Sequence, residues 1–354
     1  MKICFVVPTI GNSGGMPIIM NIANVLSESG YKVDVVYPII TPNINGWRFT
    51  KPYDFIKMIG WIPLNLISFN KKKYLNKYKS VNLKRVFTLN HIPINYDEYI
   101  ATWWETAVFV NKLEVKKKKY LIQAYEIWNG NSKEVFKTYN YDGFELITIC
   151  RYLELKISRH TNKTIKLLYN NIDLTKFKRN ENLKDIMSVG LIYRPNKWKK
   201  IENFISYLDM YRRNDMHYYC IGRKIPPKYI DKFDKVFDGN VQSEMELFYN
   251  KIGILVVPSD DMEGFGLPII EAMSCGTPIA VMSIGIAYEI IKDGVNSLIM
   301  ESNDAASIKT AIDRYANLRD QEKKNMQIEA CNTINIEYRN KIEKNKDIIL
   351  DYFT

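Results

Sequence analysis

EGFGLPIIE, residues 263–271, sets two carboxylates eight positions apart on either side of a glycine-flanked turn. Upstream, Ile252 to Pro258 (IGILVVP) is a short apolar run rich in β-branched residues, the pattern of a buried strand. Pro268 suits the first position of a helix, where its missing N–H costs nothing. Gly276 and Pro278 read as the stop, and Pro278 to Met282 (PIAVM) as the next strand. The two acids therefore bracket a strand-to-helix turn. Gly264 and Gly266 let main chain approach a ligand closely, and the free N–H groups of the helix start favour an anion. Glu263 stands beside that anion, and Glu271, in the first helical turn, is placed to accept hydrogen bonds from sugar hydroxyls. Spacing alone also fits an ordinary helix start, because the dipole favours a glutamate there.

The longer stretch EGFGLPIIEAMSCGTP resembles the donor-site signature of family-4 glycosyltransferases, retaining enzymes of the GT-B fold that carry two glutamates at this separation. The resemblance implies an α/β protein of two Rossmann-like domains, with parallel sheets facing across a cleft. It implies a nucleotide-diphosphate sugar held mainly by the second domain and an acceptor held by the first. Glu263, Gly264, Phe265, Gly266, Leu267 and Glu271 are the donor-binding residues it marks here.

A chain of 354 residues accommodates two domains. Its 46% apolar and 25% charged residues are those of a globular protein. No apolar run reaches the ~18 residues of a membrane-spanning helix, and MKICFVVP enters a strand with no signal-peptide core. The five cysteines, Cys4, Cys150, Cys220, Cys275 and Cys331, show neither pairing nor metal-ligand spacing and read as buried thiols of a reducing, cytoplasmic compartment. The three histidines are scattered, and adjacent Asp260 and Asp261 make a poor metal site, so no metal and no cofactor is expected. The formal charge of +11 admits nucleic acid, an anionic membrane or an anionic substrate.

Taken in order, Lys2 to Val7, a helix closed by Gly30 and Tyr31 to Tyr37 make a βαβ unit with a glycine turn at Gly14 and Gly15. No GxGxxG fingerprint is present; the resemblance places this GG loop near the donor phosphates and the acceptor. Thr41 to Arg85 is dense in aromatic and aliphatic residues, followed by Lys71, Lys72, Lys73, Lys77, Lys79, Lys84 and Arg85. It reads either as a surface docking on anionic lipid or as a helical insertion with a solvated lysine face. Glu98 to Thr102 and Lys119 to Gln123 are further strands, with a helix from WWETAVFVNKL between them and Lys116 to Lys119 as a solvated loop. Many family members have a histidine at the end of the latter strand. Gln123 or Ala124 stands there in this chain, so no catalytic histidine is assigned. Tyr125 and Glu126 are candidates for the acceptor or sugar site, against a structural role for both. NNIDLTKF, from Asn170 to Phe177, resembles the family's junction between domains. The expected division is 1–170, then 171–334, with a helix of about 335–354 returning to the first domain.

Asp185 to Gly190 is a strand, after which the resemblance expects an arginine and a lysine gripping the donor diphosphate. Arg194 fits the first. Lys199 or Lys200 fits the second, with the register open by one, because the glycine that commonly follows the lysine is absent. A guanidinium and an ammonium offset the charge of a leaving diphosphate. The catalytic set is therefore Glu263, Arg194 and Lys199.

The resulting expectation is a retaining, metal-independent glycosyltransferase. It would move a sugar from a nucleotide-diphosphate donor to a glycan or lipid-linked acceptor in cell-surface polysaccharide synthesis, in the cytoplasm or on the inner face of the membrane. A nucleotide-sugar epimerase of the same shape is the first rival. A basic nucleic-acid-binding protein is the second, and no recognition motif supports it.

Overall fold

The computed structural model describes residues 1–10, 15–40, 74, 76–127 and 132–353, with Gln242 by its main chain alone. The chain divides into two compact units, Met1–Asn171 with Lys344–Thr354, and Ile172–Glu343.

The first unit is a seven-stranded parallel sheet in the order β3-β2-β1-β4-β5-β6-β7. Its strands are β1 (Lys2–Val6), β2 (Lys32–Pro38), β3 (Asn82–Val86), β4 (Glu98–Ala101), β5 (Lys117–Ile122), β6 (Phe144–Thr148) and β7 (Ile165–Leu167). The helices are α1 (Gly15–Glu28), α2 (Trp104–Asn111), α3 (Ser132–Tyr139) and α4 (Arg151–Ser158). Apolar runs covered on both faces explain the central strands: Ile3, Phe5, Val35, Ile100 and Leu121 are almost wholly buried.

Lys116 to Lys119 is not a solvated loop. β5 begins at Lys117, and Lys119 is buried beside Glu98, its Nζ 2.9 Å from the carboxylate. The parallel register sets Lys117 opposite Glu98 and Lys119 opposite Ile100, so the lysine stem lies along the neighbouring strand and its charge is met inside the sheet.

Most of Thr41 to Arg85, including Lys71, Lys72 and Lys73, lies outside the described residues, as does Gly14. Of the remaining cations, Lys77 and Lys79 are exposed, whereas Lys84 pairs with Asp34 at 2.6 Å and Arg85 donates to the Tyr37 hydroxyl at 3.3 Å.

The second unit is a six-stranded parallel sheet in the order β10-β9-β8-β11-β12-β13. It comprises β8 (Asp185–Tyr193), α5 (Ile201–Tyr211), β9 (His217–Gly222), β10 (Lys235–Asp238), α6 (Gln242–Lys251), β11 (Ile252–Val257), α7 (Leu267–Ser274), β12 (Ile279–Val281), β13 (Leu298–Ile299), α8 (Ala305–Ala316) and α9 (Asp320–Asn332). Val189, Leu191, Phe204, Tyr207, Ile254 and Val256 share its core. Gly190 is needed where β8 packs under α6: a Cβ there would lie 2.4 Å from Ile252 Cδ1 and 2.9 Å from Phe248 Cζ.

The terminal segment changes hand later than the ~335 read from sequence. A π-helical turn (Thr333–Tyr338) and α10 (Arg339–Glu343) still belong to the second unit. Only α11 (Asn345–Phe353) packs on the first, where Phe353 meets Phe5 at 6.0 Å between ring centroids and Asn345 Nδ2 donates to the Tyr169 carbonyl at 2.8 Å.

Candidate functional site

In the second sheet the strand order reverses between β8 and β11. Crevices outside the carboxyl ends of strands at such a switch point are where open parallel sheets bind ligands. A cavity of about 50 Å³ lies there, lined by Arg194 and Lys199 from the segment after β8, Ser259 after β11, and Pro268 at the start of α7.

β8 runs through to Tyr193, beyond the Gly190 at which the sequence reading stopped it, so Arg194 leaves directly from its end. A 3₁₀ turn, Lys197–Lys199, follows, and Lys200 then adopts φ 47°, ψ 38°, the left-handed conformation. That conformation is the one glycine takes most readily. Lys200 thus holds a glycine-like backbone conformation, with Lys199 directly before it. Lys199 Nζ is paired with a carboxylate oxygen of Glu263, while Lys200 Nζ lies 3.6 Å from Asp260. The main chain ties the same loops together, Asp260 N–H donating to the Trp198 carbonyl at 2.8 Å. Burial raises the Asp260 carboxyl above its ordinary range against the opposing Met262 N–H and Lys200.

α7 starts at Leu267, so Pro268 is its second residue rather than its first, and Glu271 lies in the second turn; the first turn carries no acid. The cause is Gly266, whose φ of +90° makes it the N-cap and starts the helix one residue earlier than the proline implied. No side chain caps this helix start; Pro268, which lines the cavity, has no N–H and the Ile269 N–H donates to the Gly266 carbonyl at 2.9 Å, so the helix brings chiefly the positive end of its dipole to the cavity edge. Phe265 is not available to a ligand through its ring, which is buried against Tyr338 at 6.3 Å; its carbonyl accepts the Ile286 N–H at 2.8 Å. Gly264 is buried, and Leu267 is partly exposed.

Glu271 receives the Tyr249 hydroxyl on Oε2 at 2.8 Å. Burial raises its pKa, against the lowering effects of that hydrogen bond and the Arg194 charge. Tyr249 is fixed in turn, its carbonyl accepting from Lys184 Nζ at 3.0 Å and from the Thr277 hydroxyl at 2.5 Å. Tyr249, Ser259 and Lys184 were missed in the sequence: each sits in or beside an apolar stretch with no pattern separating it from core.

In the first unit, Gly15 opens α1 and Gln123 follows β5. The Gln123 carboxamide packs on this glycine, where a Cβ would stand 2.9 Å from Oε1, and that oxygen is buried with no hydrogen-bond partner among the described residues. Tyr125 is buried with its hydroxyl 2.8 Å from His160 Nε2. Glu126 is buried, accepting from the Trp104 N–H at 2.7 Å and from the Tyr120 hydroxyl at 3.0 Å. Burial pushes its carboxyl up to about 8. These partners give both side chains structural roles.

Residues 184–317 match the family described as glycosyl transferases group 1. The O-antigen chain mannosyltransferase RfbU of Salmonella typhimurium is 27% identical over 316 residues, 84% of this chain and 80% of that protein. Among solved structures, Anabaena HepE in complex with UDP-glucose aligns with a TM-score of 0.72 at 15% identity, covering 100% of this chain and 99% of the other. Sucrose-phosphate synthase from Thermosynechococcus elongatus aligns with a TM-score of 0.69 at 15% identity and the same coverage. These likenesses establish the GT-B fold of two parallel-sheet α/β units.

Proposed function

We propose that this protein is a retaining glycosyltransferase that moves a sugar from a nucleotide-diphosphate donor to a glycan or lipid-linked acceptor in cell-surface polysaccharide synthesis. The observation that carries the reading is the convergence of Arg194, Lys199 and the uncapped start of α7 on one cavity at the switch point of the second sheet. Three sources of positive potential at one spot suit a diphosphate. The group 1 match over this unit and the mannosyltransferase relative support the same class.

In this reading Arg194 and Lys199 hold the two phosphates and stabilise negative charge as it develops on the leaving group. Glu263 keeps Lys199 in place and borders the transferred sugar. Glu271, oriented by Tyr249, accepts from the ribose hydroxyls. The bond from C1 to the phosphate oxygen breaks with its electron pair leaving on the diphosphate. The acceptor oxygen bonds to C1 on the same face, and its proton passes to the departing phosphate. Charge stabilisation by Arg194, Lys199 and α7 takes the part a metal ion would otherwise play. Gly15 and Gln123 mark the acceptor side in the first unit. Among the described residues no helix is long and apolar enough to cross a membrane. A lipid-linked acceptor would therefore be met at the inner membrane surface, which the basic charge favours.

The test is sugar transfer by Arg194→Ala and Glu271→Ala proteins, with the anomeric configuration of the product read by NMR. Transfer at the parent rate by both variants, or a product of inverted configuration, contradicts this reading.

A further inference from the structure

A second cavity, of about 360 Å³, opens in the first unit at the amino ends of β1, β2 and β3. Lys2, Lys32 and Asn82, the first residues of these strands, form part of its wall. Gly15 and Gln123 follow the carboxyl ends of β1 and β5, so this pocket lies at the opposite end of the sheet.

Its floor is a fixed polar network. The Asp34 carboxylate accepts from the Tyr96 hydroxyl at 2.6 Å and from Asn82 Nδ2 at 3.0 Å, and pairs with Lys84 at 2.6 Å. Lys84 also donates to the Tyr96 hydroxyl at 3.2 Å. Burial opposes ionisation of Asp34, but these hydrogen bonds outweigh it and hold the carboxyl below its ordinary range. Asp34 is thus an anion whose charge is met by Lys84.

The charge left over is positive. Parallel register puts Lys2 directly beside Lys32. Neither ammonium has an ion-pair partner among the described residues. Asp97, next to Lys2 across the sheet, accepts the Lys2 main-chain N–H at 2.7 Å. Like charges on neighbouring strand positions repel, and an anion between them removes the repulsion. The rest of the lining sets the hydroxyl and amide groups of Ser27, Ser80 and Asn95 beside the apolar surface of Tyr31 and Val33, the mixture that the polar edges and apolar faces of a sugar ring need. The volume lies at the small end of the ~300–1,000 Å³ of ligand pockets. Size, mixed lining and excess charge describe one ligand class.

We propose that this pocket binds an anionic sugar unit, a saccharide carrying a carboxylate or phosphate. Lys2 and Lys32 meet its charge, and the Asp34–Asn82–Tyr96 network meets its hydroxyls. The unit is either a free sugar phosphate or an acidic residue of a glycan chain. The proposal does not rest on the catalytic reading of the second unit.

Calorimetric titration of the full chain with glucose 6-phosphate, an oligogalacturonate, inorganic phosphate and glucose tests it, using parent, Lys32→Ala and Lys2→Gln proteins of unchanged thermal midpoint. The expected result is saturable binding of one charged saccharide, weakened at least about tenfold in each variant, which is about 1.4 kcal/mol. Glucose and inorganic phosphate bind at least about tenfold more weakly, and UDP neither competes nor binds differently to the variants. Preference for glucose 6-phosphate identifies a free metabolite, and preference for the oligogalacturonate a glycan. Absence of binding by both charged saccharides, equal binding by the variants, equal binding of inorganic phosphate, or competition by UDP overturns the proposal.

Discussion

The ammonium of Lys199 closes on the carboxylate of Glu263, joining the turn after β8 to the loop after β11. The pair is 20% and 13% exposed, so it is shielded from solvent on most sides. A positive group held in this way is pre-placed for a phosphate and loses little freedom when one arrives. Lys199→Ala is expected to lower donor turnover about 100- to 1,000-fold, the range seen when one preorganised charge-stabilising group is removed. Steady-state release of nucleotide diphosphate measures this, and a loss under about fivefold would contradict the assignment.

Lys200 behaves differently. Its left-handed φ of 47° carries a cost of about 1–2 kcal/mol for a residue with a Cβ. Its 3.6 Å approach to Asp260, with the lysine 41% exposed, contributes about 0–1 kcal/mol. Lys200→Gly is therefore expected to raise stability by about 0.5–1 kcal/mol while turnover stays within about threefold of the parent. Urea unfolding and the same release assay check both halves; a large loss of turnover would return Lys200 to the phosphate site.

Tyr249→Phe removes the hydroxyl that fixes Glu271. Stability is expected to fall by about 1–3 kcal/mol, the cost of leaving one partner of a buried polar pair unmet. KM for the donor is expected to rise about tenfold as the carboxylate loses its orientation. Unchanged KM would place Glu271 outside the ribose site.

Much of this arrangement is legible in residues 263–271, because a strand, a glycine turn and a helix start leave a local pattern. The parallel sheets follow from the β-branched runs in the same way. What the sequence hides is set by tertiary packing. The left-handed turn at Lys200 is not legible in the sequence, since lysine carries no signal for that geometry. Lys119 reads as solvated from its neighbours, yet Glu98 on the adjacent strand draws it inside. Phe265 sits inside the motif but spends its ring on Tyr338. Tyr249, the partner of Glu271, comes from another helix altogether.

Glu126 predicts a pH dependence of stability. Its carboxyl is raised from 4.5 to about 8 on folding, so the folded state keeps a proton that the unfolded chain has released. The stability it contributes is full below pH 4.5 and is lost as pH rises through about 8. Glu126→Gln, which keeps an acceptor for Trp104 and Tyr120, is expected to flatten the decline between these limits. Urea midpoints of both proteins across this range check it; parallel curves would contradict the raised value.

The central claim is that Arg194, Lys199 and the start of α7 grip a nucleotide diphosphate. Thermal unfolding with UDP-, GDP- and dTDP-sugars measures this directly, because a ligand at ~100 times its Kd adds about 2.7 kcal/mol of stability, a rise of roughly 5–10 °C for a unit of this size. The account predicts such a rise for at least one of these donors with the parent protein and its loss in Arg194→Ala; no rise with any donor, or an equal rise in the variant, would contradict it.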